Sequence, residues 1–157
     1  MSERKNYALS PEVAAEQNAI IADIRIINEE NYAKGFPRKK AFVETYGCQQ
    51  NVSDSEILMG MLINMGYEEA VNKDEADIII YNTCAVRENA ELKVFGNLGA
   101  LKHLKRRRPG MIIAICGCMV QQPHVADKLK ESYPFVGLVF GTHVIHRFPE
   151  LMWQALT

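Results

Sequence analysis

Ile78, Ile79, Ile80 and Tyr81 stand in an unbroken run of β-branched and aromatic residues between Asp77 and Asn82. The run is too short for a buried helix and has no polar position to turn toward water, so it predicts a strand covered on both faces. The chain then turns polar at Asn82 and Thr83, presents Cys84 and enters a long helical pattern. Cys84 is therefore expected just beyond the carboxyl end of a central strand, the edge at which open α/β sheets bind ligands.

The rest of the chain supplies the layers such a strand needs. Ahead of it, Ala41 to Tyr46 reads as a first strand, and Ser53-Asp54-Ser55-Glu56 as a helix start. Ile57, Leu58, Met61, Leu62 and Met65 form that helix's apolar face, Gly66 stops it, and Tyr67 to Val71 suits a short strand. Behind it, a helix from about Val86 to Arg107 closes at Pro109-Gly110, and Met111 to Ile115 reads as another buried strand. A helix at Val125 to Glu131, a strand at Val136 to Phe140 and a helix at Pro149 to Ala155 complete the alternation. Repeated strand–helix units imply parallel strands with right-handed crossovers, hence a three-layer α/β fold with a mostly parallel sheet and helices on both faces.

In front lies an amphipathic helix from Pro11 to about Glu30, with Ser10 as N-cap and Val13, Ile20, Ile21, Ile24 and Ile27 as its apolar positions. Gly35, Phe36 and Pro37 end it. Residues 1–38 are thus expected to form a helical extension packed on a domain of residues 39–157. A chain of 157 residues has room for one ordinary core. Its net charge of -1 gives no global attraction to nucleic acid or membrane, so such binding would need a local patch. No apolar run reaches membrane-spanning length and the start is not a signal peptide, so no membrane partner and a cytoplasmic location are expected. There, four cysteines read as reduced thiols open to metal or catalysis.

Three of the expected strands end in cysteine: at Cys48, at Cys84, and at Cys116-Gly117-Cys118. Parallel strands put those ends on one edge, where thiolates distant in sequence can share one inorganic centre. Soft sulfur ligands favour an iron–sulfur cluster or zinc, and three of them on a four-iron cluster leave one iron open. Cysteine is also a common small core residue, and on placement alone the two readings stand level. Zinc with a histidine ligand is the nearest metal alternative. None of His103, His124, His143 and His146 has a spacing that singles it out. A nucleotide or flavin also suits this edge, but neither a Gly-x-Gly-x-x-Gly nor a Walker sequence occurs. The basic run Lys102 to Arg108 is better explained as cations at a helix C-terminus than as a phosphate-binding patch, because no aromatic residues interleave it.

Three ordered motifs add a resemblance. Thr45-Tyr46-Gly47-Cys48-Gln49-Gln50-Asn51-Val52-Ser53-Asp54-Ser55-Glu56, Asn82-Thr83-Cys84-Ala85-Val86-Arg87-Glu88-Asn89-Ala90 and Gly117-Cys118-Met119-Val120-Gln121 together resemble the amino-terminal domain of the radical-SAM methylthiotransferases. The likeness runs from about Lys40 onward. Thr-Tyr-Gly-Cys-Gln is similar to the tRNA-modifying branch of that family, apart from Gln50, where that branch usually carries Met.

The resemblance implies that Cys48, Cys84 and Cys118 hold an auxiliary [4Fe-4S] cluster whose open iron takes part in sulfur delivery. It implies a full-length transferase that adds a methylthio group to carbon 2 of isopentenyl-adenosine beside the tRNA anticodon. A second [4Fe-4S] cluster and S-adenosylmethionine belong, in that family, to a radical-SAM domain with a Cys-x-x-x-Cys-x-x-Cys motif that does not occur in these residues. The chain is accordingly expected to bind a cluster but not to catalyse alone, the radical-SAM and carboxyl-terminal RNA-binding domains lying outside it. Of the Cys116-Gly117-Cys118 pair, Cys116 continues the apolar run and is expected in the core. Cys118 follows a glycine as Cys48 does, and matches the family's Gly-Cys-x-x-Gln pattern. The competing expectation is a stand-alone zinc- or nucleotide-binding α/β module.

Overall fold

A computed structural model of the chain describes residues 10–47, 49–84 and 88–157, with the backbone alone for 88–90. Five strands, β1 (Lys40–Thr45), β2 (Glu68–Glu69), β3 (Ile78–Thr83), β4 (Ile112–Gly117) and β5 (Leu138–Phe140), form one sheet in the order β2-β1-β3-β4-β5. Every pairing is parallel. Among the described residues five α-helices pack on it: α1 (Pro11–Ala33), α2 (Gln49–Asn64), α3 (Glu88–Arg107), α4 (Pro123–Ser132) and α5 (Phe148–Leu156). From β1 the chain steps outward to β2, then returns past β1 to β3 and continues the other way. The sheet therefore has its topological switch point between β1 and β3.

Side-chain alternation along the strands divides the core in two. Ile79, Tyr81, Ile113 and Ile115 pack against Val94, Phe95 and Leu98 of α3 and Val125 and Leu129 of α4. Ile78, Ile80, Ala114 and Cys116 face the other way, toward Ile24 of α1, Leu58 and Leu62 of α2, and Phe148 and Met152 of α5. Every residue of β3 is buried, as a central strand covered on both faces requires.

Several expected boundaries move. Asn82 and Thr83 do not leave the sheet; they are its last buried rungs in β3, because neighbouring side chains and carbonyls meet their polar groups. The second helix begins at Gln49 rather than Ser53, so Asn51, Asp54 and Ser55 form a buried polar face instead of a cap. Tertiary hydrogen bonds there override the local start signal. β2 shrinks to two residues as the chain turns away and the Val71 amide donates to Glu75 Oε1. β5 begins at Leu138, two residues after the expected start. The expected start of the third helix at Val86 lies outside the described residues.

The front helix begins as the sequence implies, with Ser10 Oγ accepting from the Val13 amide and Pro11 in the first turn. Its buried stripe is Gln17, Ile24 and Asn28, however, while Ile27 is 43% exposed. Asn28 takes the inward position because its Nδ2 donates to the Met65 carbonyl at 2.8 Å, closing the C-terminus of α2. Among the described residues no helix is long and apolar enough to cross a membrane.

Candidate metal centre

In register, Thr45 pairs with Asn82, Asn82 with Cys116, and Thr83 with Gly117. Cys84 and Cys118, each one residue past its strand, thus lie at the carboxyl edge of adjacent strands beside the switch point. Cys48 lies outside the described residues. Gly47, its neighbour in sequence, sits against Cys84: a Cβ on Gly47 would fall 2.5 Å from Cys84 Cβ. A Cβ on Gly117 would fall 2.1 Å from the Thr83 carbonyl oxygen. Both glycines also have positive φ, +142° and +101°, so backbone conformation and lack of space demand glycine together. Cys84 is buried; Cys118 is exposed, its Sγ 3.6 Å from Thr142 Oγ1.

Beneath this edge runs a buried polar network that sequence reasoning missed. Thr83 Oγ1 donates to the Cys116 carbonyl at 2.6 Å. Asn82 Nδ2 donates to the Asn51 carbonyl at 2.8 Å and to Ser55 Oγ at 3.0 Å, and Ser55 Oγ lies 2.7 Å from Thr45 Oγ1. Asn51 Nδ2 donates to the Thr83 carbonyl at 3.0 Å and to Asn82 Oδ1 at 3.3 Å. The one signal in the sequence was the placing of Asn82 and Thr83 directly behind an apolar run. On the other face of the sheet, Tyr46 and Tyr81 meet edge-on at 5.3 Å, and Asn97 Nδ2 donates to the Tyr46 hydroxyl. Burial raises both phenols, that of Tyr81 to about 12.

Cys116 is wholly buried in the α1–α2–α5 layer. Burial, and then the charge of Asp54, push its thiol well above the ordinary range, which disfavours the thiolate a metal needs. Among the described residues no three His, Cys, Asp or Glu side chains gather to hold a metal ion. What they do provide fits a soft metal centre: two thiols on one edge and two glycines whose missing side chains let the strand ends close on each other. His124 is turned to Glu91 at 3.2 Å, and His103 is exposed on α3.

The basic run lies at the opposite edge. Arg108 donates to the Asp74 and Ala76 carbonyls and pairs with Asp77 Oδ1 at 2.7 Å. Lys105 Nζ donates to the Pro109 and Met111 carbonyls. Both cations thereby tie the end of α3 to the starts of β3 and β4, about 20 Å of strand away from the cysteines. A cavity of about 510 Å³ nearby brings Arg38, Lys40 and Arg108 together with Glu75 and Asp77. These three cations are engaged in ion pairs, Arg38 with Glu29, Lys40 with Glu75 and Arg108 with Asp77.

Residues 40–141 match a family model described as Uncharacterized protein family UPF0004. That span contains Cys48, Cys84 and Cys118. Curated relatives carry the name tRNA-2-methylthio-N(6)-dimethylallyladenosine synthase. That of Clostridioides difficile (strain 630) is 51% identical over 99% of this chain and 33% of its own length. That of Alkaliphilus oremlandii is 53% identical over 99% and 32%, and that of Clostridium tetani 60% identical over 73% and 25%. The chain thus spans about a third, or less, of the length of these relatives.

Proposed function

The chain belongs to the UPF0004 family, and we propose that it is the amino-terminal, cluster-binding part of a tRNA methylthiotransferase. The observation that carries the reading is the closure of glycine-flanked strand ends beside Cys84 and Cys118, within a span shared with proteins named tRNA-2-methylthio-N(6)-dimethylallyladenosine synthases. In this proposal Cys48, Cys84 and Cys118 would hold an auxiliary [4Fe-4S] cluster, while Cys116 stays in the core. When bound, a cluster with three thiolate ligands supplies one iron open to a sulfur species.

The chain's own residues have simpler tasks. Gly47 and Gly117 bring the backbone of neighbouring strands into close approach, which would let thiols share a centre, and the Asn82–Ser55–Thr45 bonds seat α2 against β1 and β3 beneath them. Cys118 offers an exposed thiol on the open side. The proposal extends to the longer enzyme. A radical-SAM domain of the same polypeptide, with its own [4Fe-4S] cluster and S-adenosylmethionine, would start methylthiolation of carbon 2 of isopentenyl-adenosine in tRNA. A cytoplasmic location goes with that substrate, and this part alone would be inactive.

Anaerobic reconstitution with iron and sulfide tests the reading. The expected product is brown, absorbs broadly in the visible and contains about four iron and four sulfide per chain. A colourless protein that takes up zinc and rejects iron would overturn it in favour of a zinc module.

A further inference from the structure

We infer that Asn51 is a positioning residue whose single buried side chain fixes the three cysteine-bearing strand ends relative to one another, an inference that rests on the cluster reading above. Asn51 is the third residue of α2 and is 5% exposed. Its amide nitrogen donates to the Thr83 carbonyl, directly before Cys84. Its amide oxygen lies where a Cβ on Gly47 would come within 2.6 Å, directly before Cys48. The Thr83 carbonyl is also the atom against which Gly117 closes, directly before Cys118. One line of contacts therefore runs from Gly47 through the Asn51 amide and the Thr83 carbonyl to Gly117, and each of those three backbone positions precedes a cysteine.

The chemistry of an amide explains the choice of residue. A donor must face the Thr83 carbonyl and Asn82 Oδ1 while a compact acceptor sits beside Gly47. Aspartate has nearly the same shape but no donor, and would set a carboxylate against two oxygens. Ser55 belongs to the same network, bonded to Asn82 and Thr45, yet touches none of the three backbone positions. Removing it loosens the network without unlinking the strand ends.

The test compares Asn51→Asp and Asn51→Ala with Ser55→Ala and the unsubstituted chain, each checked for folding by circular dichroism and a denaturation midpoint. After reconstitution, iron release to a chelator and the electron paramagnetic resonance spectrum of the reduced cluster are recorded. In the metal-free chains, fluorescence of dibromobimane reports whether it has bridged two neighbouring thiols. Both Asn51 variants should release iron roughly 10–100-fold faster, the range found when groups supporting metal ligands are removed. They should also give an altered spectrum and a lower yield of bridged thiols. Ser55→Ala should lower the midpoint but keep the release rate, spectrum and bridging yield. The inference is overturned if an Asn51 variant that folds matches the unsubstituted chain, or if Ser55→Ala releases iron as fast as Asn51→Asp. Should the unsubstituted chain bridge its thiols but take up no iron, the cluster reading falls. A bridging yield that Asn51→Asp lowers would then still support the positioning role, and an unchanged yield would end it.

Discussion

Cys116 and Cys118 are separated by one glycine and meet opposite environments. Cys116 is the last side chain of β4 on the face packed by α1, α2 and α5, with no exposed surface, while Cys118 lies past the strand and is exposed. Replacing Cys118 with serine should prevent assembly of a normal four-iron cluster. Cys116→Ser should leave iron and sulfide content largely unchanged while lowering stability by roughly 1–3 kcal/mol, the cost of burying an unpartnered hydroxyl. Iron and sulfide analysis with denaturant unfolding of both variants decides; loss of the cluster from Cys116→Ser alone would reverse the assignment. That Cys116 continues a strand was legible, because five apolar residues precede it without a break. The roles of Asn51 and Asn82 were not, because their partners lie about 30 positions away in sequence.

At the scale of the element, α1 shows what periodicity conveys and what it omits. Its cap and first turn were readable from Ser10 and Pro11, since both act within a few residues. Its buried face was read in part: Ile24 is buried and Ile20 and Ile21 pack against the same core, but Ile27 is exposed and a polar residue, Asn28, holds an inward place by bonding to Met65. The consequence is a sharp contrast between neighbours. Ile24→Ala should destabilise the chain by roughly 2–4 kcal/mol, the range for truncating a fully buried isoleucine. Ile27→Ala, at a position 43% exposed, should stay within about 0.5 kcal/mol of the unsubstituted chain. Unfolding midpoints of the two variants, interpreted with a common denaturant slope, would check this; equal losses would mean that α1 packs through a different face.

The molecule as a whole followed from strand–helix alternation, which demanded a parallel, doubly covered sheet. The strand order with its switch point between β1 and β3 could not be read locally, since it depends on which way each crossover travels. One global property comes from three buried phenols, Tyr46, Tyr67 and Tyr81. All are held in the neutral form above their ordinary range, chiefly by burial, and Tyr67 also by Asp77. The stability they contribute is present below the unfolded-state value of about 10 and is lost as pH rises through the folded values. The unfolding midpoint should therefore fall on an alkaline limb that begins near pH 10 and is still descending at about 12, where Tyr81 ionises and Tyr46 and Tyr67 remain neutral. Tyr67→Phe should flatten that limb; a limb of unchanged steepness would assign the alkaline loss to other groups.

The closeness of Gly117 to the Thr83 carbonyl also bears on how the sheet assembles. Were β4 to pair with β3 one residue out of step, Cys116 or Cys118 would take the place of Gly117, and each carries a Cβ, which at that place falls 2.1 Å from the Thr83 carbonyl oxygen. The same slip would turn every side chain of the strand toward the wrong layer. The glycine thus acts as a lock on alignment: a slipped pairing would set side chain against backbone, and the aligned one leaves Cys116 in the core and Cys118 at the rim.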